Sequence, residues 1–201
     1  GTNRVRTDAR GRITGWDGSA STLKVVAERV ARADVDALAA AFAARDRAGG
    51  AFGVASPRDS VQARVGAATL SVNYGRPYLR GRRAFGGMAP WGQVWRTGAN
   101  QATHFRTDRD LVVGGTPVPA GAYTLWTIPA ESGWQLVVNK QTGQWGTMYD
   151  AAQDLARIPM RTERVAAPVE QFTISVEPGG EGGVLAMAWE NTRAFVPFTV
   201  R

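Results

Sequence analysis

The side chains best suited to recognising a ligand are concentrated in residues 74–107, which read YGRPYLRGRRAFGGMAPWGQVWRTGANQATHFRT. Guanidinium groups bind carboxylates and phosphates through paired hydrogen bonds, and indole rings stack on sugars and apolar ligands. A second polar stretch, NKQTGQWGTMYD at 139–150, combines side-chain amides with aromatic rings. The ligand-binding residues predicted from the two stretches are Tyr74, Arg76, Arg80, Arg82, Trp95, Arg96, Asn100, His104, Asn139, Trp145 and Tyr149.

Together these residues predict a cleft, lined by arginine and tryptophan, for a small anionic or carbohydrate-like ligand. Loops at one end of a β-sheet are where such a site would be placed. The arginines also have a structural interpretation, in which some pair with internal acids such as Asp108 or Glu170 and fix a loop. The sequence leaves both interpretations open.

His104 is the single histidine of the chain, and histidine is the side chain whose ordinary pKa suits proton transfer near neutral pH. As a general base it would make the protein a hydrolase-type enzyme, with Arg96 or Asn100 stabilising the developing negative charge. No nucleophile or orienting carboxylate is identifiable by spacing, so no catalytic residue is assigned and the enzyme stays an alternative. A lone histidine in a chain without cysteine predicts no metal site, and no motif indicates a cofactor.

The composition is typical of a globular protein: 201 residues, of which 44% are hydrophobic and 20% charged. The net charge of +7 comes from arginines scattered along the chain, which do not form the basic stripe of a nucleic-acid-binding domain. The lack of cysteine excludes disulfides, thiolate nucleophiles and zinc fingers. No apolar run approaches the roughly 20 residues that cross a bilayer. We therefore expect no specific nucleic-acid partner and no membrane span.

From about residue 60 onward the hydrophobic pattern alternates with a period of two, which is typical of strands that bury one face. Turn sequences such as GGTPVPAGA and PGGEGG separate the alternating segments. The pattern predicts an all-β domain, an antiparallel β-sandwich or partly open barrel of about nine strands. The candidate strands are VQARVG, ATLSVNYG, ATHFRT, LVVGG, AYTLWTIP, WQLVVNK, EQFTISVEP, GVLAMAWE and FVPFTV.

One internal helix is predicted to interrupt these strands, within WGTMYDAAQDLARIP at 145–159. Thr147 and Asp150 have the spacing of a capping box at its start. Met148 and Leu155 would lie on its buried stripe, and Pro159 would end it.

Residues 1–55 are predicted to form an N-terminal extension, and residues 56–201 the sandwich domain. The extension begins with short strands that bend at Gly11 and at Asp17-Gly18. Because an isolated ribbon of two strands is marginally stable, this piece is interpreted as the end of an upstream domain. The protein as a structural or assembly module, or as a homo-oligomer, is therefore a further alternative.

The extension continues with a helix in ADVDALAAAFAARDRAGG, at 33–50. Asp34 is expected to cap its first turn, while Val35, Leu38 and Phe42 fall on one stripe. Gly49-Gly50 would end it, and the following GGAFGVASPRDS is predicted to be a loop.

Several longer motifs occur in the sandwich domain: SP at 56–57, YGRP at 74–77, RGRRAFGG at 80–87, VWRTGANQAT at 94–103, PAGAYTLWTIP at 119–129 and VVNKQTGQWG at 137–146, with a strand around Trp189. Through these motifs, residues 56–200 resemble the bacterial family called domain of unknown function 2911, whereas residues 1–55 fall outside the resemblance. The resemblance implies a β-sandwich that is periplasmic or secreted, and it implies no particular reaction. We therefore expect an extracytoplasmic binding protein.

Overall fold

The computed structural model describes residues 3–20, 24–47 and 55–201, and it divides between residues 54 and 55 into two units. The first unit contains an antiparallel sheet in the order β1 (Arg4–Thr7), β2 (Ile13–Asp17) and β3 (Val26–Glu28). Gly11 has a φ of 75° in the first turn, where the Asp8 carboxylate accepts hydrogen bonds from two backbone N–H groups. The strands and the bend at Gly11 confirm the prediction.

The first unit also contains one helix, α1 (Val35–Arg47). As predicted, the Asp34 carboxylate caps it by accepting from the Ala37 N–H at 2.9 Å. The apolar stripe of Val35, Leu38 and Phe42 is exposed and is not covered by the three-stranded sheet. The predicted stop at Gly49-Gly50 and most of the loop that follows lie outside the described residues.

The second unit is one antiparallel sheet of nine strands. Its strands are β4 (Arg58–Val65), β5 (Ala68–Gly75), β6 (Thr103–Thr107), β7 (Leu111–Val113), β8 (Thr116–Val118), β9 (Gly121–Ile128), β10 (Trp134–Asn139), β11 (Asp154–Gly179) and β12 (Gly182–Val200). Their order in the sheet is β4-β5-β6-β9-β10-β11-β12-β7-β8. Because β4 and β8 are the two edges, the sheet is not a closed barrel, and the predicted all-β antiparallel fold is confirmed.

The sheet folds back on itself because β11 and β12 are long enough to enter both halves. The first part of β11 pairs with β10, and from Arg161 onward β11 pairs with β12. Two hydrogen bonds at the end of β5 and just after it join the halves. The Ile174 N–H donates to the Tyr74 hydroxyl at 2.9 Å, and the Phe172 N–H donates to the Pro77 carbonyl at 3.0 Å. The two halves are thus the layers of a sandwich. The first layer consists of β4, β5, β6, β9, β10 and the start of β11, and the second consists of the rest of β11 with β12, β7 and β8.

Aromatic side chains fill the space between the layers. Trp95 and Trp189 stack with ring centroids 5.7 Å apart, and Phe85 packs edge-on against Trp134 at 4.6 Å. The apolar end of the interior, which includes Leu70, leaves a cavity of only about 10 Å³, room for about one water molecule. This cavity is therefore too small to hold a ligand larger than a water molecule.

The predicted internal helix at 145–159 is wrong except for a single turn. A 3₁₀ turn spans Ala151–Gln153, and the Asp150 carboxylate caps it by accepting from the Ala152 N–H. From Asp154 the chain is strand, because pairing with β10 satisfies its backbone groups and its alternation buries Ile158. Pro159 is tolerated because this part of β11 pairs with β10 alone among the described strands.

Two smaller differences concern the other strands. The predicted segments GVLAMAWE and FVPFTV are continuous in β12, which a bulge bends near Glu190. The short strand β8 was not predicted, and its Pro117 lies at the edge of the sheet, where a missing N–H is harmless. Within the described residues, no helix has both the length and the apolar character needed to traverse a bilayer.

Candidate functional site: the outer side of the first layer

Two of the predicted ligand residues lie in the core. Tyr74 is 1% exposed and Trp95 is 6% exposed. Trp95 stands in a loop-like sequence, but its backbone pairs with Thr127 through N–H···O distances of 2.7 and 2.9 Å, which turns the indole inward. Neither side chain reaches the surface, so neither lines a cleft.

Arg76, another predicted ligand residue, joins the two layers. Its Nε donates to the Phe172 carbonyl at 3.1 Å, and one terminal nitrogen donates to the Thr173 hydroxyl at 2.9 Å. The other terminal nitrogen forms an ion pair with Asp59 at 2.9 Å. All three arms of the guanidinium fork are therefore used inside the protein.

Arg80 and Arg82 fix the loop that follows Arg76. The Arg82 guanidinium donates to the carbonyls of Leu79 and Tyr78 at 2.9 and 2.8 Å. The backbone N–H of Arg80 donates to the Glu170 carboxylate at 2.8 Å. For Arg80 and Arg82, these contacts match the structural interpretation, in which some arginines fix a loop.

The other predicted residues gather around a segment on the outer side of the first layer, the side opposite the core. We call residues 140–150 the strap. The strap pairs with the chain just before β6: the Gly146 N–H donates to the Asn100 carbonyl at 2.9 Å, and the Ala102 N–H donates to the Gln144 carbonyl at 3.2 Å. Trp145, within the strap, is 49% exposed. The strap is thus held on the sheet and presents an indole to solvent.

Arg96 packs against the strap at Gly146. A Cβ atom at position 146 would overlap the Cδ of Arg96 and the carbonyl oxygen of Asn100, so only glycine fits. Asn100 has a φ of 65°, in the left-handed region, and its carbonyl accepts from the Arg96 guanidinium at 3.3 Å. Arg96, Asn100 and the strap therefore form one unit.

A row of polar side chains crosses this outer side, one from each strand. The register pairs Asn73 with His104, His104 with Thr124, Thr124 with Asn139, and Asn139 with Asp154. Residues that pair directly point to the same side of a sheet. His104 and Asn139, which lie 35 positions apart by number in the chain, therefore belong to one row.

Thr124 is the centre of a hydrogen-bond network between this row and the strap. Its hydroxyl accepts from Trp126 Nε1 and from Gln144 Nε2, each at 3.0 Å, and donates to the Gln141 carbonyl at 2.9 Å. Within the part of the chain that the structure describes, the side-chain oxygens of Gln141 and Gln144 are buried without a hydrogen-bond partner. The network holds the strap to the sheet and leaves two acceptors unused.

Tyr149 and Asn139 anchor the end of the strap at Asp154. The Tyr149 hydroxyl donates to one carboxylate oxygen at 2.6 Å, and the Asn139 amide donates to the other at 2.9 Å. Arg157 donates to the same carboxylate at 3.0 Å. Burial, together with the hydrogen bond to Asp154, raises the pKa of Tyr149 to about 12. These polar groups serve the strap itself.

Two groups of cationic residues lie on this outer side, and we call them together the arginine face: Arg58, Asn73, His104 and Arg106 on β4, β5 and β6, and Arg96 at the strap. The Arg58 guanidinium donates to the Asn73 side chain and so lies over β5, next to the row that holds His104. Arg106 follows His104 by two residues on the same strand, so both point outward. Within the described residues, no carboxylate forms an ion pair with any of the three arginines.

Within the arginine face, Arg96 and His104 are half-buried, whereas Arg58 and Arg106 are exposed. Burial lowers the pKa of Arg58 and of Arg96 below their usual range. Burial also lowers the pKa of His104, and the positive charge of Arg58 lowers it further. The lowered pKa of His104 favours its neutral form, and the Arg96 guanidinium carries its positive charge in a half-buried setting.

The second unit matches a family model described as "Protein of unknown function (DUF2911)", over residues 56–198. The chain belongs to the DUF2911 family. A search of the curated proteins and a search of the solved structures each found no match.

For this DUF2911 chain, three residues of the arginine face were not predicted from the sequence: Arg58, Asn73 and Arg106. Each occupies an outward position of a strand whose inward positions are apolar, such as Val72 and Phe105. The alternation predicted which side chains point outward. It could not show which strands are neighbours, and so could not bring these three residues together.

The same chain gives His104 no catalytic surroundings. Among the described residues, no hydroxyl or carboxylate forms a hydrogen bond with its imidazole, and no group of three or more potential ligands is arranged to hold a metal ion. Its cross-strand neighbours are the Asn73 amide and the Thr124 hydroxyl, which is already engaged by the strap.

Proposed function

We propose that the arginine face binds a small anion with carboxylate or phosphate groups, and that the protein is a binding protein without a reaction of its own. The supporting observation is the pair of guanidinium groups of Arg58, which is exposed, and Arg96, which is half-buried. Within the described residues neither has a carboxylate partner.

The energetics favour an anion at this place. A guanidinium group that has lost part of its hydration shell without gaining an opposite charge is destabilised. A bound carboxylate or phosphate supplies that charge and accepts charge-assisted hydrogen bonds, which are roughly twice as strong as neutral ones. Arg58 and Arg96 would therefore each be stabilised by an anion bound against the guanidinium group.

The sheet also prepares the site. Arg58 is oriented by the Asn73 side chain, and Arg96 is packed against Gly146 and bonded to the Asn100 carbonyl. Because these contacts exist without a ligand, little side-chain entropy is lost on binding. The cations and amide donors of this face suit an anion better than a sugar.

Calorimetric titration with inorganic phosphate and with citrate at low ionic strength tests the proposal. We expect at least one of them to bind the wild-type protein with a Kd of about 1 mM or tighter. Arg58→Gln and Arg96→Gln should each weaken that binding by about tenfold, because each removes one charge-assisted contact.

Arg161→Gln is the matched control. Arg161 is an exposed arginine of β11 that pairs with Phe195 of β12, and it does not belong to the arginine face. Its Kd should stay within about twofold of the wild-type value. The single histidine gives an independent signal, because a bound anion should raise the pKa of His104 in NMR titration. Failure of both anions to bind, or equal losses in all three variants, would contradict the proposal.

We also propose that the protein acts outside the cytoplasm, in the periplasm or after secretion. The support is the resemblance of residues 56–200 to a family for which that location is expected. Fractionation of cells that express the complete natural gene should recover the protein in the periplasm or the medium. Recovery with cytoplasmic markers alone would refute this location.

A further inference from the structure

A second surface feature lies away from the arginine face, where β11 and β12 pass from one layer to the other. It is a cleft of about 280 Å³, near the lower limit for small-molecule pockets. None of its residues belongs to the arginine face. The cleft is lined by Trp91, Ala130, Glu131, Trp134, Thr162, Glu163, Arg164, Asn191 and Thr192.

A large bulge opens the cleft. Arg164 pairs with Thr192, and the next pair is Val169 with Glu190, so four residues of β11 lie opposite the single residue Asn191. Glu190 has a φ of 53°, which is uncommon for a residue other than glycine. Interrupted ladders and such backbone conformations are frequent next to binding sites.

The wall of the cleft is the indole of Trp91. Trp91 is partly buried and packs against Phe85 at 6.0 Å and against Trp134 at 6.5 Å between ring centroids. A Cβ atom at Gly86 would overlap the Trp91 Nε1, and Gly86 also has a φ of 75°, so glycine is needed there. The ring is therefore held in one orientation by residues behind it.

Polar side chains surround this indole. Glu131, Arg164, Asn191 and Thr192 have no side-chain hydrogen bond to another described residue. Glu163 is held by an ion pair with Arg193 at 2.7 Å. The cleft thus offers carboxylate and amide acceptors together with guanidinium, amide and hydroxyl donors.

We propose that this cleft binds a neutral oligosaccharide, with one sugar ring stacked on Trp91. A pyranose ring has an apolar face that packs on an indole and an edge of hydroxyl groups that both donate and accept hydrogen bonds. Two carboxylates and one arginine disfavour an anionic ligand, which separates this site from the arginine face. The inference does not depend on the proposed anion site.

Titration with cellohexaose, maltohexaose and N-acetylchitohexaose tests the inference, with calorimetry as the readout. At least one of these neutral hexasaccharides should bind with a Kd of about 1 mM or tighter. Trp91→Ala should weaken that binding by about tenfold or more, because it removes the stacking surface. Asn191→Ala should weaken it by several-fold, because one buried hydrogen-bonding group is lost.

Trp145→Ala is the matched control, since Trp145 is the exposed tryptophan of the strap. It should leave hexasaccharide affinity unchanged, and so should Arg58→Gln. If Trp91→Ala does not fold, Asn191→Ala and Trp145→Ala decide the matter. The inference is overturned if no hexasaccharide binds the wild-type protein, or if Asn191→Ala binds as tightly as the wild type does.

Discussion

At the scale of single residues, His104 is the natural reporter of the arginine face. Burial and the charge of Arg58 both lower its pKa below the ordinary value of 6.5. We expect Arg58→Gln to raise the pKa of His104, because one of the two causes is removed. The measurement is an NMR titration, and the resonance needs no assignment because the chain has one histidine. Arg161→Gln should leave the titration curve in place, and an unchanged curve for Arg58→Gln would show that the guanidinium does not act on the imidazole.

The same lowered pKa couples folding to pH. Below pH 6.5 the unfolded chain takes up a proton at His104 that the folded protein accepts only at lower pH. The contribution of this histidine to stability is therefore present above pH 6.5 and is lost as the pH falls toward the folded-state pKa. Urea unfolding at several pH values should show a smaller acid loss in His104→Gln than in the wild type. Identical pH profiles for the two proteins would contradict the expectation.

Tyr149 is the second residue whose surroundings allow an expectation. Tyr149→Phe removes the donor of the 2.6 Å hydrogen bond to Asp154 and keeps the ring against Trp126. We expect the free energy of unfolding to fall by about 1 kcal/mol. Tyr78→Phe is the matched control, because the Tyr78 hydroxyl has no hydrogen bond to a described residue, and it should be near neutral. Urea denaturation measures both, and equal effects would show that the Asp154 contact is not what matters.

Single residues of the site were predicted from the sequence only in part. Among the residues selected by type, Arg96, Asn100, Trp145 and Tyr149 lie in or beside the strap, and His104 pairs with Thr124, which is bonded to the strap. That they bind a ligand stays a prediction. Residue type also selected Arg76 and Arg82, whose guanidinium groups donate to backbone carbonyls. The carbonyl bonded to Arg76 lies 96 positions away and the one bonded to Arg82 lies three positions away, and the sequence shows neither contact.

At the scale of elements, the strap depends on Gly146. In Gly146→Ala the new methyl group would overlap the Cδ of Arg96 and the Asn100 carbonyl, so the strap or Arg96 must move. We expect a loss of about 1–3 kcal/mol in unfolding free energy. Phosphate or citrate affinity should fall with it, because Arg96 is displaced. Urea denaturation and calorimetry measure the two effects.

Gly179→Ala is the control for that substitution. Gly179 ends β11, and a Cβ atom there would meet nothing within 4 Å. Its unfolding free energy should change by less than about 0.5 kcal/mol. If Gly146→Ala behaves in the same way, the strap is not fitted to Arg96 as the structure indicates.

The failed helix at 145–159 shows where prediction of elements from sequence stops. Leu155 follows Met148 at a helical spacing, but Ile158 and Met160 also alternate as in a strand. A pattern that suits both structures is decided by pairing, and β10 supplies the partner for residues 154–160. The cap at Asp150 was predicted correctly because capping depends on local hydrogen bonds.

At the scale of the whole molecule, the second unit has a hydrophobic core of its own among the described residues. Its buried cluster begins at Val65 and ends at Phe198. We therefore expect residues 55–201, expressed without the first unit, to fold with near-native near-ultraviolet circular dichroism. The Tm should stay within about 3 °C of the Tm of the nine-stranded sheet in the full chain. This corresponds to a change of less than about 1 kcal/mol in unfolding free energy. A truncated chain that lacks a cooperative transition would refute this expectation.

The all-β class was predictable from the sequence because alternation and turn residues are local signals. The order of strands in the sheet was not, since it depends on contacts such as Tyr74 with Ile174, which are 100 positions apart. The cleft at Trp91 arises from that order and from the bulge in β11. Tryptophan content alone indicated stacking without showing which indole lines a cleft.

The bulge opposite Asn191 has a mechanical consequence. Both long strands run from one layer to the other, so tilting the layers relative to each other requires these strands to bend. Residues 165–168 have no paired partners in this ladder, so fewer backbone hydrogen bonds resist bending there than elsewhere along β11 and β12.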